Sequence, residues 1–419
     1  MKHLKIISVI SWFIILQIMI IHPLKGQVLG TELLNGRDKV IVDFNYAYGF
    51  ILIKVKLKNI LPLNFIFDTG AEHVILFKKD IADILRFNYE KRINLIGSDL
   101  EREVFALISR NNGISINNCK PVKRDLIILE DDFLNLESMV GEPIDGILGS
   151  RFFRGLVIEI DYKKKQLILH NKDKFRLRQP KNYEKINVLV ENHKPYFQGA
   201  ITSSEGDSFS AKLLLDSGSA LPFLLFLNTH SSLQLPENVI RGNLGRGLGG
   251  DLEGYLGKVK QLKLSDNLYF NNIVTSFQKT DSIATNTIKI NRNGLIGNPI
   301  LSRFHVILDL IDEVVFLKPD KNYNKAFKYD RSGLVLYAFG PGLNQYYVKD
   351  IIENSPADEA GFQKGDLIKK VGIFPASFFS LSTISTKLQK KEGKKVRFTI
   401  LRDGKKLRKT VVLRDLIKE

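Results

Sequence analysis

Cysteine is almost absent from this chain. Cys119 is the only one among 419 residues, which excludes an intrachain disulfide and any zinc site built on several thiolates. Histidine is scarce as well: the seven residues contain no HxxxH or HExxH pair, so neither a metal nor another cofactor is expected. Long apolar runs are missing beyond residue 21; no later segment approaches the roughly 18 residues a membrane span needs. Acidic residues fall short of basic ones, 45 against 62, for a net charge of +17 and a pI near 9.6. Such an excess suits nucleic acid or an anionic membrane surface, but charge alone identifies neither. The remaining composition, 44% hydrophobic and 26% charged, excludes a wholly disordered or fibrous chain.

The first residues read as a targeting segment. Met1-Lys2-His3-Leu4-Lys5 is basic, Ile6 to Ile21 is mostly apolar, and His22 to Gly26 forms a short exit. This order predicts a secretory signal over residues 1–26, cleaved after Gly26. Leu24 and Gly26 make an indifferent cleavage pair, so an uncleaved membrane anchor is the alternative. No cysteine follows the apolar run, which excludes a lipidated form. Export to the periplasm or cell envelope is expected, with membrane contact only through an uncleaved signal or a weakly basic surface. Nucleic acid is not an expected partner.

Beyond residue 26 the texture is that of a β protein. Short runs such as Lys39 to Asp43, Phe50 to Lys56 and Leu156 to Ile160 are separated by Asn, Asp, Gly and Lys. The informative feature is an internal repeat. Asn64-Phe65-Ile66-Phe67-Asp68-Thr69-Gly70-Ala71 has a partner in Lys212-Leu213-Leu214-Leu215-Asp216-Ser217-Gly218-Ser219, at an offset of 148 residues (68 to 216). At the same offset, Asp145-Gly146-Ile147-Leu148-Gly149 matches Asn293-Gly294-Leu295-Ile296-Gly297, and Val157 to Asp161 matches His305 to Asp309. One Asp-Thr/Ser-Gly is a common turn; two copies with the same downstream Gly-apolar-apolar-Gly are a structural repeat.

These motifs resemble those of the retropepsin-like, pepsin-related aspartic proteases over about Lys39 to Leu317. The resemblance implies a mainly β, two-lobed pseudo-twofold fold, with Asp68 and Asp216 as the paired catalytic aspartates. Thr69 and Ser217 would brace the two loops, and Gly70 and Gly218 would form the turns. Two carboxyls held close cannot both ionise readily, so one accepts a proton from water while the other polarises a carbonyl. Flaps would lie near Gly97 in the first half and at Gly245 and Gly247 in the second. The first half has no Tyr where pepsin-like flaps carry one. Gly245 to Gly250 also fits GxGxxG, but no βαβ unit surrounds it, so dinucleotide binding is rejected. His73 and Cys119 read as ordinary packing or surface residues, and a metal held by the two aspartates lacks further oxygen ligands.

After Leu317 the sequence changes character. Ser355-Pro356-Ala357-Asp358-Glu359-Ala360-Gly361 followed by Gly365-Asp366-Leu367-Ile368 resembles a bacterial PDZ domain. The resemblance implies a small α+β domain binding a C-terminal or extended peptide between a strand at Gly333, Leu334 and Val335 and a helix from Leu381 to Lys390. The expected organisation is a signal at 1–26, lobes at 27–175 and 176–317, a polar linker at 318–332 and a PDZ-like domain at 333–417. The expected function is an exported, metal-independent aspartic endopeptidase acting on protein or peptide substrates. The competing expectation is an inactive peptide-binding protein on the same fold.

Overall fold

The computed structural model describes residues 30–96, 103–132, 134–175, 182–247, 250–279 and 291–417. The segment 1–26, expected as a signal, and Gly97 lie outside these residues. In the first half run β1 (Lys39–Asp43), β2 (Asn45–Ala47), β3 (Phe50–Leu57), β4 (Leu61–Asp68), β5 (Val74–Leu76), β6 (Lys91–Ile96), β7 (Glu103–Ile116), β8 (Val122–Leu129), β9 (Gly146–Gly149), β10 (Leu156–Asp161) and β11 (Gln166–Asn171), with helices α1 (Lys79–Ile84) and α2 (Leu136–Val140). The second half repeats this with β12 (Glu184–Asn187), β13 (Leu189–Glu191), β14 (Lys194–Thr202), β15 (Ser208–Asp216), β16 (Phe223–Leu227), β17 (Ile240–Gly247), β18 (Gly250–Lys263), β19 (Tyr269–Lys279), β20 (Gly294–Gly297), helix α3 (Asn298–Leu301), β21 (Phe304–Asp309) and β22 (Val314–Pro319).

The repeat in sequence is a repeat in strand order. One eight-stranded sheet runs β2-β3-β4-β9-β5-β8-β7-β6, and the other runs β13-β14-β15-β20-β16-β19-β18-β17. Each strand of the first has its counterpart at the same place in the second, and the extra pairings β3–β7 and β14–β18 also correspond. A third sheet, β1-β11-β10-β21-β22-β12, draws on both halves and joins them where β10 meets β21 antiparallel, Glu159 opposite Ile307. Glu159 ties this junction. Its oxygens lie 2.7 Å from His170 Nε2 and 2.7 Å from His305 Nε2. Burial pushes its carboxyl up, but the hydrogen bonds from the two imidazoles outweigh that and hold it at about 2.

The Gly-apolar-apolar-Gly segments become β9 and β20, each buried at all four positions. β9 pairs parallel to β4 and antiparallel to β5; β20 does the same with β15 and β16. Such a threaded strand has a neighbour on both edges, and the glycines let those neighbours close in. A Cβ at Gly146 would stand 2.2 Å from the Ile75 carbonyl oxygen, and one at Gly294 2.1 Å from that of Leu224. The residue ahead of each fixes the register: Asp145 Oδ2 accepts from Asn64 N at 2.8 Å, and Asn293 Oδ1 accepts from Lys212 N at 2.8 Å.

The C-terminal domain is built from β23 (Leu334–Phe339), β24 (Gln345–Ile351), β25 (Leu367–Val371), β26 (Phe374–Pro375), β27 (Lys395–Arg402) and β28 (Lys405–Val412), with helices α4 (Pro356–Glu359) and α5 (Leu381–Leu388). Its own core includes Leu336, Val348, Ile384, Phe398 and Val411. Ser355 and Ser380 start the two helices by accepting from Asp358 N and Thr383 N, the usual N-cap bond. Asp366, 1% exposed, is held in a two-pronged pair by Arg402, with both contacts at 2.6 Å. β23 forms one edge of the sheet.

The polar stretch expected as a linker is pinned at several points. β22 carries the second half to Pro319. Arg303 then stacks 3.5 Å from the Phe327 ring centre and donates to the Tyr323 carbonyl at 2.8 Å. Arg331 pairs with Asp415 at 3.1 Å. The alternate face of β23 is apolar too: Tyr337, with Val335 packed beside it, joins a cluster that includes Met139 and Val140 of the first half. A chain segment that buries apolar surface on both of its ends cannot act as a loose tether.

The threading geometry is testable. Gly294→Ala should lower the unfolding free energy by about 3 kcal/mol, because a backbone carbonyl rather than a mobile side chain must yield. Gly113→Ala, where a Cβ would meet nothing within 4 Å, should shift the denaturant midpoint far less.

Candidate functional site

Asp68 ends β4 and Asp216 ends β15, so the strand repeat delivers two carboxyls to one place. The loops that follow are bound to each other by four crossed hydrogen bonds. Thr69 Oγ1 donates to the Leu215 carbonyl at 2.6 Å and accepts from Ser217 N at 2.9 Å. Ser217 Oγ donates to the Phe67 carbonyl at 2.9 Å and accepts from Thr69 N at 3.0 Å. Both hydroxyl residues are buried. Only a short hydroxyl side chain can donate and accept at once in this space.

Gly70 and Gly218 lie against the opposite carboxyl. A Cβ on Gly70 would approach Asp216 Oδ1 to 2.6 Å, and one on Gly218 would approach the Asp68 carboxyl carbon to 2.2 Å. Their N–H groups point at the carboxyl of their own loop: Gly70 N donates to Asp68 Oδ1 at 2.7 Å, and Gly218 N to Asp216 Oδ1 at 2.8 Å. The two carboxyls also hydrogen-bond to each other. Burial, then the adjacent Asp216, holds Asp68 well above the ordinary carboxylate range. Burial raises Asp216 as well, but the Arg292 charge, the Gly218 N–H and the bond from Asp68 oppose it. The two carboxyls therefore hold one proton between them, with Asp68 the more strongly raised of the pair.

Three residues beside the dyad escaped sequence reasoning. Asn298, fully buried, donates from Nδ2 to the Ser217 carbonyl and accepts from the Tyr162 hydroxyl at 2.6 Å. The equivalent position in the first half is Ser150, whose Oγ donates to the Ala71 carbonyl at 3.0 Å. Their shared place after the Gly-apolar-apolar-Gly segment was the available signal. His73 contributes its backbone, accepting from Gly149 N at 3.1 Å, while its side chain is 41% exposed. Cys119 is buried, which pushes its thiol up to about 12 and makes it a poor nucleophile. Of the expected flap positions, Gly97 is outside the described residues. Gly245 and Gly247 belong to the β17–β18 hairpin, opposite Leu252 and Gly250.

In the C-terminal domain Gly333 immediately precedes β23, and Leu334 and Val335 are its first two residues, across from α5. Gly333 has φ +78°, and a Cβ there would lie 2.2 Å from Ser355 Oγ. Residues 320–413 match the PDZ domain family. This part of the chain is a PDZ domain. The match starts at 320, ahead of the 333 boundary expected from composition, and so takes in the pinned stretch. A search of curated proteins returns no match to the chain. The PDZ groove opens into a cavity of about 720 Å³. Its other walls are Tyr46, Tyr48 and Gly49 of the first half and Ala220, Leu221 and Pro222, which follow the Asp216 loop directly. The PDZ domain is thus seated beside the dyad loops, and Gly141 at the end of α2 touches α5, a Cβ there falling 2.9 Å from Leu381 Cβ.

Two outcomes follow from the loop geometry. Thr69→Val keeps the shape but leaves Ser217 N–H and the Leu215 carbonyl unpaired in the interior. It should cost about 2–4 kcal/mol in a denaturant titration. Because the folded-state Asp68 carboxyl is raised, the folded protein binds more protons than the unfolded chain above about pH 4. Wild-type stability should therefore fall as pH rises from about 4 through the raised value. Asp68→Asn lacks that loss, so its melting temperature should gain on wild type between pH 4 and 7.

Proposed function

We propose that this chain is an exported aspartic endopeptidase whose PDZ domain recruits protein substrates. The observation that carries the reading is the pair of Asp-Thr/Ser-Gly loops, cross-bonded through Thr69 and Ser217 so that Asp68 and Asp216 share one proton. The two equivalent eight-stranded sheets support it, since each supplies one half of the dyad from a single polypeptide. The basic and apolar start of the sequence supports export to the periplasm or envelope.

The chemistry assigns different roles to the two carboxyls. Asp216, ionised, takes a proton from a water whose oxygen attacks the peptide carbonyl carbon. Asp68 gives its proton to the carbonyl oxygen, so a neutral tetrahedral diol forms rather than an oxyanion. Collapse of the diol breaks the C–N bond; Asp216 passes its proton to the leaving nitrogen, and Asp68 recovers one from a diol hydroxyl. No metal is required for any step. The PDZ domain supplies a groove for an extended segment of the substrate.

Asp68→Asn and Asp216→Asn should each lower peptide turnover at least about 1,000-fold, the scale on which loss of an acid–base pair acts, while the circular dichroism spectrum is retained. Pepstatin should inhibit wild type, and EDTA should not. Mixing the two variants should restore nothing, since both halves of the dyad come from one chain. Substantial turnover in either variant, or loss with EDTA, contradicts the reading.

A further inference from the structure

The PDZ groove contains a feature that its family membership does not supply. In the loop before β23, the backbone donors are already taken. Asp330 Oδ1 accepts from Ser332 N at 2.8 Å, from Gly333 N at 2.9 Å and from Ser332 Oγ at 2.6 Å. Leu334 N, the next donor, is bound by Ser332 Oγ at 3.1 Å. An internal carboxylate thus sits on the loop N–H groups that could otherwise receive a carboxylate from outside. Arg331, the nearest arginine, is engaged by Asp415 and by the carbonyls of Gln389 and Lys390.

The groove does not end at this loop. Its cavity continues past Tyr48 of the first half and is lined by Ser385 of α5 as well. It then reaches Leu221, Pro222, Ile240 and Leu256 of the second half. A side chamber of about 180 Å³ opens there, lined by Ser276. Ser276 is 1% exposed, and its Oγ finds no hydrogen-bond partner among the described residues. A buried hydroxyl of that kind is ready for an amide of a guest chain. Ala220, on the cavity wall, is four residues from Asp216, which limits the gap to about 14 Å of extended chain.

We propose that the PDZ groove takes an internal extended segment of a polypeptide, not a free carboxyl terminus, with the chain continuing toward the dyad. Among the described residues no strand pairs with the outer side of β23, so strand addition can occur there, the walls at Leu336 and Leu381 are apolar, and a peptide bond, unlike a terminal carboxylate, needs nothing from the occupied loop. Ionised Asp330 repels a second carboxylate placed beside it. The inference rests on the peptide-recruiting part of the proposed function and is independent of bond cleavage.

The test uses the full chain carrying Asp216→Asn, so that bound peptide is not cut. Two twelve-residue probes of alternating leucine and serine, dye-labelled at the amino end, would differ only in a free or amidated carboxyl end. Anisotropy at pH 7.5 should give dissociation constants within about twofold of each other. Ser385→Trp, which fills the groove, should weaken both at least tenfold. In Asp330→Ala the loop donors are released, and the free-acid probe should gain about fivefold over the amide. If that variant does not fold, Asp330→Asn, which keeps the acceptor oxygen, should bind the amide probe as wild type does. Preference of the unsubstituted groove for the free acid by tenfold, binding of neither probe, or indifference to Ser385→Trp would overturn the proposal. Failure of wild type to cleave peptides, with these affinities as expected, would overturn the catalytic reading alone.

Discussion

Two hydroxyl groups set where the carboxyls can go. Thr69 and Ser217 each bond the backbone of the opposite loop twice, so neither loop has a place of its own. The four bonds are buried, and each, if unmade, would leave a polar group without water. That penalty makes the loop pairing close to all-or-none. Everything at the site follows from it: glycine is required where the loops pass the opposing carboxyl, and the carboxyls are forced into contact. One of them is then obliged to stay protonated. The same constraint that costs electrostatic stability keeps one proton within the pair.

Symmetry of fold does not give symmetry of charge. The two sheets have the same strand order, yet paired positions carry different side chains. Asp145 is charged and takes an ion pair from Lys78 at 3.2 Å, whereas its equivalent Asn293 is neutral and bonds Thr229. Ser150 and Asn298 occupy equivalent positions, yet their side chains donate to non-equivalent carbonyls, those of Ala71 and Ser217. Arg292, beside Asn293, favours ionisation of Asp216. A perfectly symmetric pair would share its proton equally. These differences place the two carboxyls in unlike electrostatic surroundings.

The dyad was legible in the sequence because it is made of short motifs with fixed spacing. Asp68-Thr69-Gly70 and Asp216-Ser217-Gly218 each carry their carboxyl, their brace and their turn within three residues. The threaded strands were legible for the same reason: Gly146 and Gly294 are needed by contacts that their immediate neighbours cannot avoid. Glu159 was not legible, since it depends on His170 and His305 from two other strands, and nothing local distinguishes it from a surface glutamate. The stretch 318–332 misled through composition. Its lysines and asparagines look solvated, but Tyr323, Phe327 and Tyr329 between them find Arg303 and the end of the chain.

The seat of the PDZ domain changes what recruitment means physically. A domain on a free tether raises local substrate concentration and leaves the geometry of the bound chain open. Here Tyr337 and Val335 pack against the same apolar cluster as Met139 and Val140, so β23 has a fixed position relative to α2. A segment paired to the edge of β23 would inherit that position. Ala220 to Pro222 then line one cavity with that edge while following directly from the Asp216 loop. Register along β23 is thereby converted into distance from the dyad, because an extended chain advances by a nearly constant step per residue. In such an arrangement the position of a chain along β23 would set how far each of its residues lies from Asp68 and Asp216.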